Sequence, residues 1–146
     1  MTQRPATRTP RRRSAALFAV LGATLALAGL GVALTRGSNA TVTTVSVHDL
    51  FAAIGQEPAP TLLDVREPHE FEAGHVEGAL LMPLARTVEM AIAAGLPKDA
   101  PVYVFCRSGN RSLQAAQALV AAGYEDVRNV DGGIIAWTAA GLPVVR

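Results

Sequence analysis

Cysteine is almost absent from this chain: 146 residues contain one, Cys106. No disulfide can form within the fold, so an apolar core must hold it together. Histidine is nearly as scarce. His48, His69 and His75 are scattered, and no Cys/His spacing suits a metal, so neither a metal nor another cofactor is expected. Acidic residues are missing from residues 1–40, which carry six arginines. Charge of either sign is missing from Ser14 to Thr35. Internal repeats are lacking as well. The remaining seven basic residues share residues 41–146 with all twelve acids, so the folded part is mildly acidic and a nucleic-acid partner is not expected.

Ser14–Thr35 reads SAALFAVLGATLALAGLGVALT. As a helix it would span about 33 Å, enough to cross a hydrocarbon core. It has no polar face, which argues against a buried core helix. Residues 1–40 are therefore expected to be a signal peptide or an N-terminal membrane anchor, with a membrane contact through residues 14–35. Ser38-Asn39-Ala40 offers a small-x-small cleavage site, whereas the length of the apolar run suits a retained anchor. In both cases the arginines stay inside and the remainder is carried across. The expected location is the outer face of the cytoplasmic membrane, or the periplasm or exterior after cleavage.

Residues 41–146 have the size of one domain. Val42–Val47 predicts a first strand and His48–Ile54 a short helix ended by Gly55. Thr61–Val65 predicts a second, buried strand, and Pro68–Phe71 a helical turn opened by its proline. Ala79–Met82 predicts a third strand and Arg86–Ala94 a helix. Val102–Phe105 is apolar throughout, as in a strand buried on both faces of a parallel sheet. The helix after it carries Leu113, Ala116 and Val120 on one stripe, Ala115 and Leu119 beside it, and Gly123 beyond its end. Val127–Val130 predicts a fifth strand, followed by Gly132-Gly133 and a last short helix. Strands alternating with helices predict an α/β class with a parallel sheet of about five strands.

Chemistry concentrates between the fourth strand and its helix, in Cys106-Arg107-Ser108-Gly109-Asn110-Arg111. A thiol there sits at the carboxyl end of a strand, where open α/β sheets bind ligands. It also faces a helix amino terminus, whose free N–H groups favour a thiolate or a bound anion. Two arginines add positive charge. Each factor lowers a cysteine pKa and predicts a nucleophile near neutral pH. A buried inert cysteine is the plainer alternative, but it leaves the Arg-Ser-Gly-Asn-Arg turn unexplained. Gly109 lets such a turn curl until successive N–H groups converge on one point.

The chain resembles the single-domain rhodanese (thiosulfate sulfurtransferase) family over residues 45–145. The resemblance is carried by LLDVREPHEFEAGHVEGALLMP, PVYVFCRSGNRS, AAQALVAAGYEDVRNVDGGIIAW and GLPV, in that order. It implies a rhodanese-like domain over residues 41–146, with Cys106 carrying sulfane sulfur as a persulfide. The donor would be an anion such as thiosulfate, and the acceptor cyanide or a thiol. Arg107, Ser108, Gly109, Asn110, Arg111 and Ser112 would bind the substrate, with the backbone N–H groups cradling the terminal sulfur. Arg107 would attract the donor, while Arg111 would hold the loop closed or stabilise departing sulfite.

Two other functions use related parts. Cysteine-dependent phosphatases and arsenate reductases hold five residues between cysteine and arginine, against four between Cys106 and Arg111, so the present loop suits one sulfur atom better than a tetrahedral oxyanion. A tethered, non-enzymatic binding module is the other alternative, opposed by retention of the thiol and both arginines. Asp64 and Arg66 are expected to support the loops as a buried pair. Glu67, Glu70 and Glu72 are expected on a solvated helix face, His75 in a hydrogen-bonding structural role, and Tyr124 and Trp137 in the core. A lone thiol outside the cytoplasm also risks oxidation, and the sequence leaves both the thiol and the persulfide open as its resting form.

Overall fold

The computed structural model describes residues 40–146; the apolar run and the export reading placed on it lie outside the described residues. Among the described residues, no helix is long and apolar enough to cross a membrane.

Five parallel strands form one sheet: β1 (Thr43–Val45), β2 (Thr61–Asp64), β3 (Leu80–Leu81), β4 (Val102–Phe105) and β5 (Val127–Val130). Their order is β1-β5-β4-β2-β3. The helices are α1 (Val47–Ile54), α2 (Pro68–Glu72), α3 (Thr87–Ala93), α4 (Asn110–Ala121) and α5 (Gly133–Ala139), with a 3-10 turn at Leu84–Arg86. The expected α/β class and five-stranded parallel sheet are both present.

Strand alternation divides the core into two layers. Val102, Val104 and Leu63 pack with Ala91 of α3 and Ala115, Ala116 and Leu119 of α4. Tyr103, Phe105 and Leu62 turn the other way, onto Val47 and Leu50 of α1 and Trp137 of α5. Strand β4 is buried along its whole length because helices cover both of its faces. The Trp137 ring meets Phe105 edge-on, and its indole N–H donates to the Pro143 carbonyl at 2.8 Å. Tyr124 is also buried, as expected.

Three local expectations shift. The first strand stops at Val45 because Ser46 begins a capping box: its hydroxyl accepts from the Asp49 N–H, and the Asp49 carboxylate accepts from the Ser46 N–H. Asn110 and Arg111 belong to the first turn of α4, which shortens the loop to Cys106–Gly109. The buried stripe of α4 is Ser112, Ala115, Ala116 and Leu119, whereas Leu113 is exposed. Small residues face the sheet because they let α4 approach β4 and β5 closely, which apolarity alone did not indicate.

Strand β4 lies between β5 and β2, the positions 102–105 pairing with β2 from Thr61 to Asp64. β2 leads outward to β3 while β4 leads back to β5. Strands whose connections diverge in this way open a crevice at their carboxyl ends. Cys106 occupies it.

Candidate active site

The loop is held from outside by the first turn of α5. The N–H groups of Ile134 and Ile135, in the first turn of α5, donate to the carbonyls of Cys106 (2.9 Å) and Arg107 (3.2 Å). Gly133 permits that approach: a Cβ there would collide with the Cys106 carbonyl oxygen and lie 2.6 Å from the Arg107 carbonyl carbon. Gly109 adopts φ 98° immediately before α4, a conformation disfavoured for residues with a Cβ. Its own Cβ would lie 3.3 Å from both Asp131 Oδ1 and the Gly132 nitrogen. Gly132 and Gly133, at φ 71° and 51°, form a tight turn beside the loop.

The Cys106 sulfur is buried, with the residue 1% exposed. The Gly109 N–H donates to it at 3.1 Å, and the Ser112 hydroxyl lies 3.4 Å away. Burial raises the thiol pKa. The Ser112 hydroxyl and the N–H groups of Ser112, Ser108 and Gly109 outweigh burial and bring the pKa below its usual value. Ser112 is buried and its hydroxyl also reaches the Gly109 carbonyl at 2.9 Å and Asn129 Oδ1 at 2.6 Å.

The structure divides the two arginines. Arg107 is exposed on the rim. Arg111 is committed to α2, its two terminal nitrogens donating to the two Glu70 carboxylate oxygens at 2.7 Å each. Glu70 is therefore no part of a solvated face. The Arg111 hydrogen bonds lower its pKa from the ordinary 4.5 to about 2, and they raise that of Arg111. No sequence-local signal joins residues 41 positions apart. The pair ties the first turn of α4 to α2.

Asp64 and Arg66 form the buried pair that was expected. Arg66 Nε donates to Asp64 Oδ1 and Oδ2 at 2.9 Å, and its Nη2 donates to Oδ2 at 2.6 Å. Arg66 also donates to the carbonyls of Glu70 (3.1 Å) and Gly74 (2.8 Å), so it braces α2 and the turn that follows it. His75 stacks on Phe71 with ring centroids 3.7 Å apart, and its Nδ1 hydrogen-bonds the Phe71 carbonyl, a structural role. Asn129, unremarked in the sequence, stands 4% exposed behind Ser112. Its place on the strand beside β4 was the only available hint. Among the described residues no His/Cys/Asp/Glu cluster could hold a metal.

A thiol with a lowered pKa, flanked by N–H donors and an exposed arginine, suits attack on a small anionic electrophile. Residues 46–140 match the model of the rhodanese-like domain. A sulfurtransferase of Allochromatium vinosum is 43% identical over 84 residues, 58% of this chain and 77% of that protein. A thiosulfate sulfurtransferase of Tolumonas auensis is 38% identical over 86 residues, 59% of this chain and 79% of that protein. A Synechocystis protein is 41% identical over 91 residues, 62% of this chain, and the match spans half its length. The crystal structure of the Alr3790 protein from Anabaena superposes with a TM-score of 0.64 at 35% identity, covering 69% of this chain and 90% of that one.

Proposed function

The chain belongs to the rhodanese-like family, and from that premise we propose that it transfers sulfane sulfur through a persulfide on Cys106. The observation that carries this reading is the sulfur itself, buried at the foot of α4 and hydrogen-bonded by the Gly109 N–H at 3.1 Å. The likeness to proteins named as sulfurtransferases supports it.

In the proposed cycle the Cys106 thiolate attacks the outer sulfur of thiosulfate. The new S–S bond forms as the donor's S–S bond breaks, and sulfite departs with the bonding electron pair. Cys106 is left as an anionic persulfide whose terminal sulfur takes the loop N–H donors. Cyanide, or a thiolate acceptor, then attacks that sulfur. Thiocyanate or a new persulfide leaves, and the thiolate returns. Arg107 supplies the rim charge that draws the dianion in, while Arg111, already paired with Glu70, keeps the loop in register. The hydrogen bonds that lower the Cys106 pKa favour the thiolate, and a thiolate formed before attack needs no general base.

The test is the intact mass of the full chain, purified in detergent, before and after thiosulfate, beside Cys106→Ser. A gain of one sulfur atom, reversed by cyanide with release of thiocyanate and absent from the serine variant, is expected. No gain with thiosulfate or other sulfane donors overturns the reading in favour of a binding module. As to compartment, residues 1–36, with six arginines before and after an uncharged run, support a domain exported across the cytoplasmic membrane. Protease protection of a carboxyl-terminal tag in spheroplasts, lost only when they are lysed, would overturn that placement.

A further inference from the structure

Ser112 has one hydroxyl proton and three acceptors within reach: Cys106 Sγ at 3.4 Å, the Gly109 carbonyl at 2.9 Å and Asn129 Oδ1 at 2.6 Å. One proton serves one of them well. The Gly109 carbonyl already accepts from the Leu113 N–H at 3.0 Å, so it does not depend on the serine. The contest lies between sulfur and the Asn129 side chain. The thiolate is the charged acceptor, and hydrogen bonds to ions are roughly twice as strong as neutral ones. Asn129 can yield the proton without losing its contact. Its amide has nearly the same shape either way round, so presenting the NH2 group in place of the oxygen turns it from acceptor to donor at the same serine oxygen.

We propose that Asn129 is a positioning residue for the thiolate: its side-chain NH2 donates to the Ser112 oxygen and thereby commits the Ser112 proton to Cys106 Sγ. The chain Asn129→Ser112→Cys106 runs from β5 through α4 to the end of β4, three elements locked in the core. Asn129 pairs in register with Val104, two residues before the nucleophile, so the geometry follows from the sheet itself. Within such a chain each bond polarises the next, which strengthens the one that ends on the anion. No proton changes owner. The relay acts by fixing orientation, and Asn129 touches neither donor nor acceptor substrate.

The charged groups around this sulfur are few. Arg107 belongs to its own loop and Arg111 to α4. Arg111 is paired with Glu70, and Glu67 stands near that pair on α2. Asp64 and Arg66 are paired at the end of β2, and Asp131 lies beside Gly109 in the turn before α5. None lies between Asn129 and the sulfur in the hydrogen-bonded chain, so a change at Asn129 reads the relay with the ionic surroundings unaltered.

The inference rests on Cys106 being the reacting group, and its test reads the thiol directly. The rate of iodoacetamide alkylation of the full chain is followed against pH for the unmutated protein, Asn129→Ala, Ser112→Ala and the double variant. Asn129→Ala should move the midpoint upward by about half to one pH unit, the weight of one hydrogen bond. In the Ser112→Ala background the same change should add nothing. A midpoint that stays or falls in Asn129→Ala overturns the relay, because an asparagine that only accepted would free the proton for sulfur when removed. Should Asn129→Ala fail to fold, the unmutated protein decides by NMR. Side-chain NH2 signals of Asn129 that titrate with Cys106 support the relay, and signals that ignore that titration overturn it. Alkylation needs no sulfur donor, so absence of sulfur transfer would leave this result readable.

Discussion

The two ends of the sheet make opposite use of their space. At the amino end a cleft of about 470 Å³ opens, lined by Gln56, Pro58, Pro60, Tyr103, Arg128 and their neighbours. Two of its polar side chains, Arg128 and Tyr103, are already committed to each other. Arg128 donates to both Asp126 oxygens at 2.8 and 2.7 Å and to the Tyr103 hydroxyl at 2.6 Å, and it stacks over the Tyr103 ring at 5.1 Å. At the carboxyl end there is hardly room for a Cβ, yet donors remain directed at one sulfur. The proposed chemistry follows unspent hydrogen-bonding capacity and charge rather than the volume of a cavity.

Gly133→Ala should break the carboxyl end most severely. The methyl group meets the Cys106 carbonyl, and the residue sits at φ 51°, so steric and backbone costs combine to about 3 kcal/mol. Urea unfolding should show that loss, and sulfur transfer should vanish with the loop. Arg107→Ala should leave the fold intact and raise KM for thiosulfate about tenfold, with most of the normal salt dependence of kcat/KM gone. An unchanged salt dependence would remove Arg107 from donor capture.

Glu70→Gln sharpens the contrast by freeing Arg111. Both partners are partly exposed, 21% and 29%, so a stability loss of only about 1 kcal/mol is expected at neutral pH. The folded pKa of Glu70 lies below the ordinary value, so its contribution is complete above pH 4.5 and fades as pH falls towards 2. The variant and the parent should therefore converge in stability across that interval, as followed by circular dichroism. The smallest effect belongs to the amino end. Arg128→Met should cost at most about 1 kcal/mol and leave sulfur transfer unchanged; a tenfold fall in activity would break the distinction between the two ends.

Much of this could be read without coordinates. Val102–Phe105 followed by a thiol and a glycine turn placed the site at a strand end, and the alternation of apolar runs gave the sheet its five strands. Asp64 and Arg66, two residues apart, were legible as a pair because the strand end brings them together locally. Glu70 was misread as solvated, since a helical turn rich in glutamates looks the same whether or not an arginine from another helix reaches it. The stripe on α4 was misjudged for a related reason: a site that needs close approach selects serine and alanine over larger apolar residues.

What the sequence by itself determined is local and chemical: the class of each element, the single cysteine at a strand end, and a loop able to expose N–H groups. Backbone preference and hydrophobic periodicity act over a few residues, so they are written in short stretches. The tertiary structure alone decided which partners the charged and polar groups would have. Arg111 met Glu70, Ser112 met Asn129, and Gly133 came against the Cys106 carbonyl through packing of α2, β5 and α5 around β4. Those distances depend on helix rotation and sheet order, which no neighbouring residue specifies.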